Sequence, residues 1–183
     1  GAAYLNKGNY DEAIVYYEKA LPVQLSRFGD DHRDTALIFN NIGSAYDYKG
    51  CYGKAIEYYT KALTIRYRVL PEDHPDIAQS CNNIGNAYRN KGDFSTGISF
   101  FKKALAIWEP RNDENQAQLA ICYANIGESY LRCGDCDTAI DVFRRSLKIR
   151  LTSQGETHPD TAQSYGSLGT AYFQKGDYDE AIA

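Results

Sequence analysis

The stretch that decides the fold is residues 40–63, NNIGSAYDYKGCYGKAIEYYTKAL, which returns 42 residues later as NNIGNAYRNKGDFSTGISFFKKAL over residues 82–105. The same spacing runs through the whole chain in columns of glycine, tyrosine and isoleucine. These columns are Gly8, Gly50, Gly92, Gly134 and Gly176; Tyr4, Tyr46, Tyr88, Tyr130 and Tyr172; and Ile14, Ile56, Ile98, Ile140 and Ile182. A fixed period of this size is typical of a repeat protein, whose units bury their apolar faces against their neighbours. We therefore expect function on a surface that several units build together.

Each unit contains two amphipathic patterns, for example over residues 33–49 and 52–68, with apolar residues three, four and seven positions apart. These apolar positions are Ile42, Ala45, Tyr46, Ala55, Ile56, Tyr59, Ala62 and Leu63. Gly50 ends the first pattern, and Pro75 suits the first turn of the next unit's helix, where its missing amide hydrogen costs nothing. Glycine also recurs inside every first helix, which predicts close helix contact there. The sequence predicts two helices per unit.

The register of the repeat defines the organisation of the chain. Gly1 is in register with Gly43, so we expect the chain to begin inside a first helix and to end, at Ala183, just inside a second. We interpret it as a fragment of a longer protein whose uncapped ends fray or associate end to end with other copies. The predicted array is one domain over residues 1–183: a partial repeat at 1–32, repeats at 33–74, 75–116 and 117–158, and a partial repeat at 159–183.

The composition is that of an ordinary soluble protein. The net charge is -4, the isoelectric point is about 5.4, and no apolar run is long enough to cross a bilayer. This charge argues against nucleic acid as a partner, and we expect no membrane association. The absence of a secretory signal and of glycosylation acceptors favours a cytoplasmic location. Five cysteines with one close pair do not suggest a disulfide framework.

The columns of one unit carry a resemblance to a known family. Ile42, Gly43, Tyr46 and Gly50, followed by Tyr52, Ala55, Tyr59 and Ala62, resemble the signature of the tetratricopeptide repeat. The 42-residue period, together with residues 70–78 and 82–84, is similar to the kinesin light chain subclass. The resemblance implies an all-α fold, a right-handed superhelix (solenoid) of helix-turn-helix repeats. Residues 112–116 depart from the subclass pattern, and we expect the link there to be looser or differently angled.

Catalytic signatures do not occur in the sequence, since it has no phosphate-binding loop, dinucleotide-binding motif or metalloprotease helix. His32, His74 and His158 form one column, with Gln116 in the vacant place, and we predict that they cap or pack the links. We expect no enzyme activity, no cofactor and no metal. Cys133 and the nearby Cys136 leave a thiol redox or metal protein as a minor alternative.

The candidate binding site is a polar stripe along the first helices. Its main members are Asn41, Asn83 and Asn125, with Ser167 in the fourth unit. Asparagine offers both a donor and an acceptor, so a column of them can pair with the main chain of a peptide without demanding a particular sequence. Resemblance to kinesin light chains implies a peptide-contacting role for these asparagines, on a face that lines a concave groove. The alternative is that they hydrogen-bond neighbouring helices and stabilise the array.

Other residues extend this candidate site. Asn82 and Asn86 accompany the stripe, while Arg89 and Arg132 would favour an acidic residue in the ligand. Leu131 and Phe173 would favour an apolar one. The lysines of a carboxylate clamp for chaperone tails are absent, since their expected column holds Asn40, Asn82, Ala124 and Gly166.

The sequence thus predicts a non-catalytic scaffold or adaptor that binds an extended peptide or partner segment. The alternative is a regulatory module that packs against another domain of a larger protein.

Overall fold

A computed structural model of the chain describes residues 8–182, without the side chains of residues 112 and 113. Gly1, Tyr4 and Ala183 lie outside the described residues. All elements in the described range are helices, so the predicted all-α fold is confirmed. The helices group into two compact units divided between Asp93 and Phe94, a point inside the predicted repeat 75–116.

The first unit contains four helices in the described range. They are α1 (Tyr10–Phe28), α2 (Arg33–Tyr48), α3 (Tyr52–Val69) and α4 (Pro75–Lys91). Apolar side chains of α1 and α2 form one core cluster, and Ala36 of α2 forms another with Ala62 and Ile65 of α3. Pairing of amphipathic faces in chain order is what the period predicts.

The second unit contains α5 (Phe94–Trp108), a 3-10 turn (Glu109–Arg111), α6 (Asn112–Arg132), α7 (Cys136–Gln154), α8 (Pro159–Lys175) and α9 (Tyr178–Ile182). Its described core cluster joins α7 to α8 through Ala139, Ile140, Phe143, Leu168 and Ala171. We call α2, α4, α6 and α8 the A helices, because each is the first helix of a predicted repeat.

Three links between repeats are closed by histidine. The Nδ1 atoms of His32, His74 and His158 accept hydrogen bonds from the backbone N–H groups of Asp34, Asp76 and Asp160, at 3.1 to 3.2 Å. Each histidine is the N-cap of the helix that follows, and Pro75 and Pro159 occupy the first turn. The capping role predicted for the histidine column is confirmed, since each one satisfies an amide that the helix cannot pair itself.

The link between the predicted repeats 75–116 and 117–158, which is the third of four along the chain, is built differently. The 3-10 turn runs directly into α6, which begins at Asn112 and kinks at Asn115. The Asn115 side chain is buried and donates a hydrogen bond to the carbonyl of Arg111 at 2.9 Å. Residues 112–116, where we expected a looser or differently angled link, thus contain a kink in the helix. The link is helical instead of a loop: Pro110 lies within the 3-10 turn, and α6 starts directly after that turn. Ala117 occupies the position that Pro75 and Pro159 hold in the other repeats.

Two buried arginines tie neighbouring helices together. In the first unit, Nη1 of Arg66 on α3 donates to the Asp76 carbonyl and to Ser80 Oγ of α4, at 2.7 and 2.6 Å. In the second unit, Arg150 on α7 makes the same pair of bonds to Asp160 and Ser164 of α8. Each charged group is buried with hydrogen-bond partners, as a low-dielectric interior requires.

Candidate functional site

In the first unit, two side-chain bridges connect the A helices. Asn83 Nδ2 of α4 donates to Asn40 Oδ1 of α2 at 3.0 Å, and about two turns further along Asn90 Nδ2 donates to Asp47 Oδ1 at 3.3 Å. We call these two pairs the polar bridges. At Asn83, the alternative in which the asparagines bond a neighbouring helix is therefore realised.

The amide of Asn83 is engaged at both ends. Its Oδ1 also accepts a hydrogen bond from Gln79 Nε2 at 2.9 Å. A carboxamide has two donor hydrogens and two acceptor lone pairs, so one donor and one acceptor of Asn83 remain for a ligand.

The other predicted asparagines of the first unit are buried or half-buried. Asn41 is half-buried on α2, and Asn82 on α4 is only 7% exposed. The Oδ1 atoms of Asn82 and Asn86 are buried and have no hydrogen-bond partner among the described residues. An unpaired buried amide oxygen costs free energy, but neither oxygen is exposed here, so a donor from outside the chain would reach them only if the side chains turned outward.

Charge on this face is concentrated at the second bridge. Arg89 lies next to Asn90 in sequence and donates a hydrogen bond to its Oδ1 at 3.4 Å. Burial raises the pKa of Asp47, while the hydrogen bond from Asn90 and the charge of Arg89 lower it in part. The predicted site residue Arg89 thus also acts on the electrostatics of the bridge.

In the second unit, the equivalent positions 84 residues later cannot form the polar bridges. Ala124 and Ser167 replace the first pair, and Leu131 and Gln174 replace the second. Alanine and leucine side chains accept no hydrogen bond, and Ser167 Oγ donates to the Gln163 carbonyl of its own helix at 3.1 Å. The A helices α6 and α8 therefore lack both cross-links.

A groove of about 490 Å³ opens between α6 and α8, with part of α7 beneath it. It is lined by Ile121, Ala124, Asn125, Glu128, Leu131, Arg132, Phe143, Arg150, Gln163, Ser167, Thr170 and Gln174. The structure thus brings the predicted residues Asn125 and Arg132 together, with Leu131 between them in sequence. Phe173 does not line the groove, and its ring instead meets Tyr178 edge-on.

The floor of the groove depends on a glycine. A Cβ atom at Gly127 would lie 2.7 Å from the ring of Phe143, so only glycine admits the ring at this depth. The first unit has the same arrangement at Gly43 with Tyr59, whose hydroxyl donates to Ser44 Oγ at 3.2 Å. Burial raises the pKa of Tyr59. The second unit replaces this polar contact with an apolar floor.

The charged residues of the groove lie at different depths. Arg150 is only 5% exposed, held by its bonds to α8. Arg132 is exposed, and its guanidinium lies 5.7 Å from the centroid of the Phe94 ring. Together with exposed Glu128, they give the groove both signs of charge.

Sequence reasoning missed Ile121, Phe143, Arg150 and Gln163 as lining residues. Phe143 and Arg150 belong to α7, which is not an A helix, so a search of one helix face could not find them. A signal existed, because Arg66 and Arg150 each stand 14 residues before a serine.

Other kinds of site have little support in the described residues. Cys133 is exposed and Cys136 half-buried, both as free thiols. Between residues 8 and 182, no group of three or more His, Cys, Asp or Glu side chains is placed to hold a metal ion. No helix in that range combines the length and apolar character needed to cross a bilayer.

Comparison with known proteins gives one matching family. The tetratricopeptide repeat model matches residues 1–68, 76–152 and 124–183. No curated protein matches the chain.

Several solved structures are similar. BtubC (BKLC) from P. vanneervenii has 26% identity and a TM-score of 0.85, covering 98% of this chain and 71% of its own. A kinesin light chain-type protein of Podosopora anserina with nearly identical TPR-like repeats has 19% identity and a TM-score of 0.85, covering 99% and 86%. MamA has 23% identity and a TM-score of 0.69, covering 98% and 86%.

The chain belongs to the tetratricopeptide repeat family. Its repeats are of the kinesin light chain-like type, as the sequence resemblance predicted. Proteins of this fold are generally interaction scaffolds, and the chain is accordingly a scaffold for protein partners.

Proposed function

We propose that the A-helix face binds an extended peptide segment of a partner protein. The groove between α6 and α8 carries this proposal, because it combines an apolar floor with amide, hydroxyl and charged groups on its walls. Its volume of about 490 Å³ falls within the range usual for ligand sites.

The dimensions of the groove suit a short extended segment. Lining residues on α6 extend from Ile121 to Arg132, and those on α8 from Gln163 to Gln174. At about 1.5 Å per helical residue, each wall is about 16 Å long. A peptide rising about 3.3 Å per residue would place about five residues along it.

Main-chain recognition is assigned to the asparagines. Asn125 lines the groove, and Asn41 and Asn83 would serve the first unit in the same way. The buried oxygens of Asn82 and Asn86 sit four residues apart, which is about 6 Å along a helix. Peptide N–H groups on one side of an extended chain repeat every second residue, or about 6.6 Å, so one chain could bond both oxygens once the two side chains turn toward it.

Side-chain selection would come from the residues between the amides. Arg132 and Arg89 favour an acidic residue in the ligand, whereas Leu131 and the Phe143 floor favour an apolar one. The proposed ligand is therefore a peptide that carries both kinds of side chain.

Filling the groove tests the proposal. Thr170→Trp introduces a large ring on an exposed residue that lines the groove, so the core is left intact. Ser99→Trp is the matched control, because Ser99 is exposed on α5 and lines no part of the groove. Peptides selected by display on the wild-type chain should lose at least about tenfold in affinity for Thr170→Trp and none for Ser99→Trp.

Two outcomes would overturn the proposal: selected peptides that bind both variants equally, or display that yields no peptide at all. In the regulatory alternative, a domain of the same polypeptide occupies the groove. If that domain were added as a separate polypeptide, it should bind the wild-type chain and fail to bind the Thr170→Trp variant.

The remaining expectations belong to the same proposal. The net charge of -4 supports the expectation that nucleic acid is not a partner. The absence of catalysis and of a cofactor, and a cytoplasmic location, stay predictions. End-to-end self-association stays a prediction, and sedimentation velocity over a range of concentrations would test it.

A further inference from the structure

The second unit carries another concavity, formed by residues of α6 and α7 that do not line the groove. Its volume is about 310 Å³. Gln116, Tyr123, Arg145, Lys148, Ile149 and Thr152 line it. A smaller hollow of about 150 Å³, lined by Glu109, Leu119, Tyr123 and Ile149, adjoins it through the two shared residues. We call the two together the link pocket, because Glu109 and Gln116 flank the irregular third link.

The link pocket lies at the link that has Gln116 in place of the histidine cap. At the equivalent place in the first unit, His32 stacks on the Phe28 ring with centroids 4.4 Å apart, and Arg68 pairs with Asp31 at 3.0 Å. In the first unit, these ring and charged side chains therefore pair with each other. In the second unit, Gln116 takes the histidine column and Thr152 takes the place of Arg68.

Two exposed cations line the larger hollow of the link pocket. Arg145 and Lys148 are three residues apart on α7, so their side chains lie on the same face of the helix. Neither forms an ion pair with a carboxylate in the described part of the chain. The Tyr123 hydroxyl donates a hydrogen bond to the Glu109 carboxylate, and Arg145 also hydrogen-bonds Tyr123. The negative charge of Glu109 lies in the smaller hollow.

The rest of the lining is suited to an organic group. Leu119 is buried, Ile149 is half-buried, and the Tyr123 ring is 9% exposed, with the Arg145 guanidinium 5.9 Å from its centroid. Burial raises the pKa of Tyr123, so its phenol stays protonated as a donor to Glu109. Apolar surface therefore adjoins the two cations.

We propose that the link pocket binds a small organic phosphate monoester. Such a group carries a charge of about -1.5 to -2 at neutral pH, so it can engage both Arg145 and Lys148 in the larger hollow, while Glu109 lines only the smaller one. Lys148 and Arg145 would hold the phosphoryl oxygens, and Gln116 can donate an amide hydrogen. The carbon part of the ligand would lie on Ile149 and the Tyr123 ring.

Calorimetric titration of the whole chain tests the proposal, with phenyl phosphate as the probe. Benzoate and inorganic phosphate serve as comparison ligands that lack the second charge or the ring. Arg145→Gln and Lys148→Gln each remove one pocket cation. Lys102→Gln removes an equal charge from an exposed position on α5 and is the control.

Phenyl phosphate should bind more tightly than either comparison ligand. Each pocket variant should weaken it by at least about tenfold, the usual effect of losing a charged hydrogen bond, and the control should not. Absence of binding, equal weakening by Lys102→Gln, or unchanged binding by both pocket variants would overturn the proposal. Thr170→Trp should leave this titration unchanged, so the result is independent of the peptide proposal.

Discussion

The A-helix faces of the two units have the same helical framework but opposite surface character. In the first unit, Asn40–Asn83 and Asp47–Asn90 connect α2 to α4. In the second unit, alanine and leucine occupy the positions equivalent to the two acceptor residues, Asn40 and Asp47. A groove of about 490 Å³ opens there between α6 and α8. The comparison teaches that two side chains per repeat pair determine whether the A helices of a unit are cross-linked, while the glycine columns keep the framework constant.

The largest expected effect tests the shared framework. Gly127→Ala should destabilise the fold by about 2 kcal/mol, because its Cβ would lie 2.7 Å from the buried Phe143 ring. Gly166→Ala is the control, since a Cβ there meets no atom within 4 Å, and it should stabilise the helix by about 0.5 to 1 kcal/mol. Chemical denaturation measures both, and equal shifts would contradict the packing argument.

The second prediction converts one face into the other. Ala124→Asn combined with Leu131→Asp gives the second unit the acceptors of the first, and the new side chains occupy the groove. Peptide affinity should fall by about tenfold or more, measured with peptides selected on the wild-type chain. Full affinity in this double variant would show that the open character of the groove is irrelevant to binding.

The third prediction concerns the strength of a polar bridge. A double-mutant cycle with Asn40→Ala and Asn83→Ala should give a coupling free energy of about 0.5 to 1.5 kcal/mol, since each variant removes one partner of a single hydrogen bond. The corresponding pair, Ala124 and Ser167, has no such bond to lose. Ser167→Ala should therefore change stability by less than about 0.5 kcal/mol. If the effects of the two single substitutions on stability were additive, the Asn40–Asn83 hydrogen bond would contribute nothing to stability.

The smallest effect is the pH dependence of the second bridge. Burial raises the pKa of Asp47 above its ordinary value of 3.8, so the folded chain holds this proton more tightly than the unfolded chain. The contribution of protonated Asp47 to the free energy of unfolding is complete below pH 3.8 and is lost as the pH rises through the folded pKa.

Asp47→Asn keeps an oxygen acceptor for Asn90 and cannot titrate. Its stability relative to the wild type should therefore increase as the pH rises from 3.8 and level off above the folded pKa. Denaturation curves at several pH values measure the difference. A constant or decreasing difference would contradict the assigned direction.

Most of the framework could be predicted from sequence because it depends on local chemistry. The period predicted the helix pairs, and the histidine column predicted the link caps, since a side chain before a helix can only satisfy amides within its reach. At residues 112–116 the pattern predicted a change but not its form. The helical form of this link accompanies burial of the Asn115 side chain, which the repeat columns do not reveal.

The candidate site was less accessible to sequence reasoning. Asn125 and Arg132 were predicted and line the groove, but the partner of Asn83 was not predicted, because Asn40 lies 43 residues away instead of one period. Side chains of adjacent A helices meet across neighbouring columns, so an alignment by period separates the two members of a bridge. The groove floor was missed for a similar reason, since Phe143 reaches it from α7.

The buried arginines impose a rule on how such a chain can lengthen or shorten. Arg66 and Arg150 are 84 residues apart, and the intervening repeat has Trp108 in their column and Cys122 in the column of their serine partners. Excising residues 75–116 would place the Arg66 guanidinium against Cys122, without its hydroxyl acceptor. Removal of two consecutive repeats would restore an arginine opposite a serine. Insertions and deletions in this lineage should therefore be tolerated best in steps of two repeats.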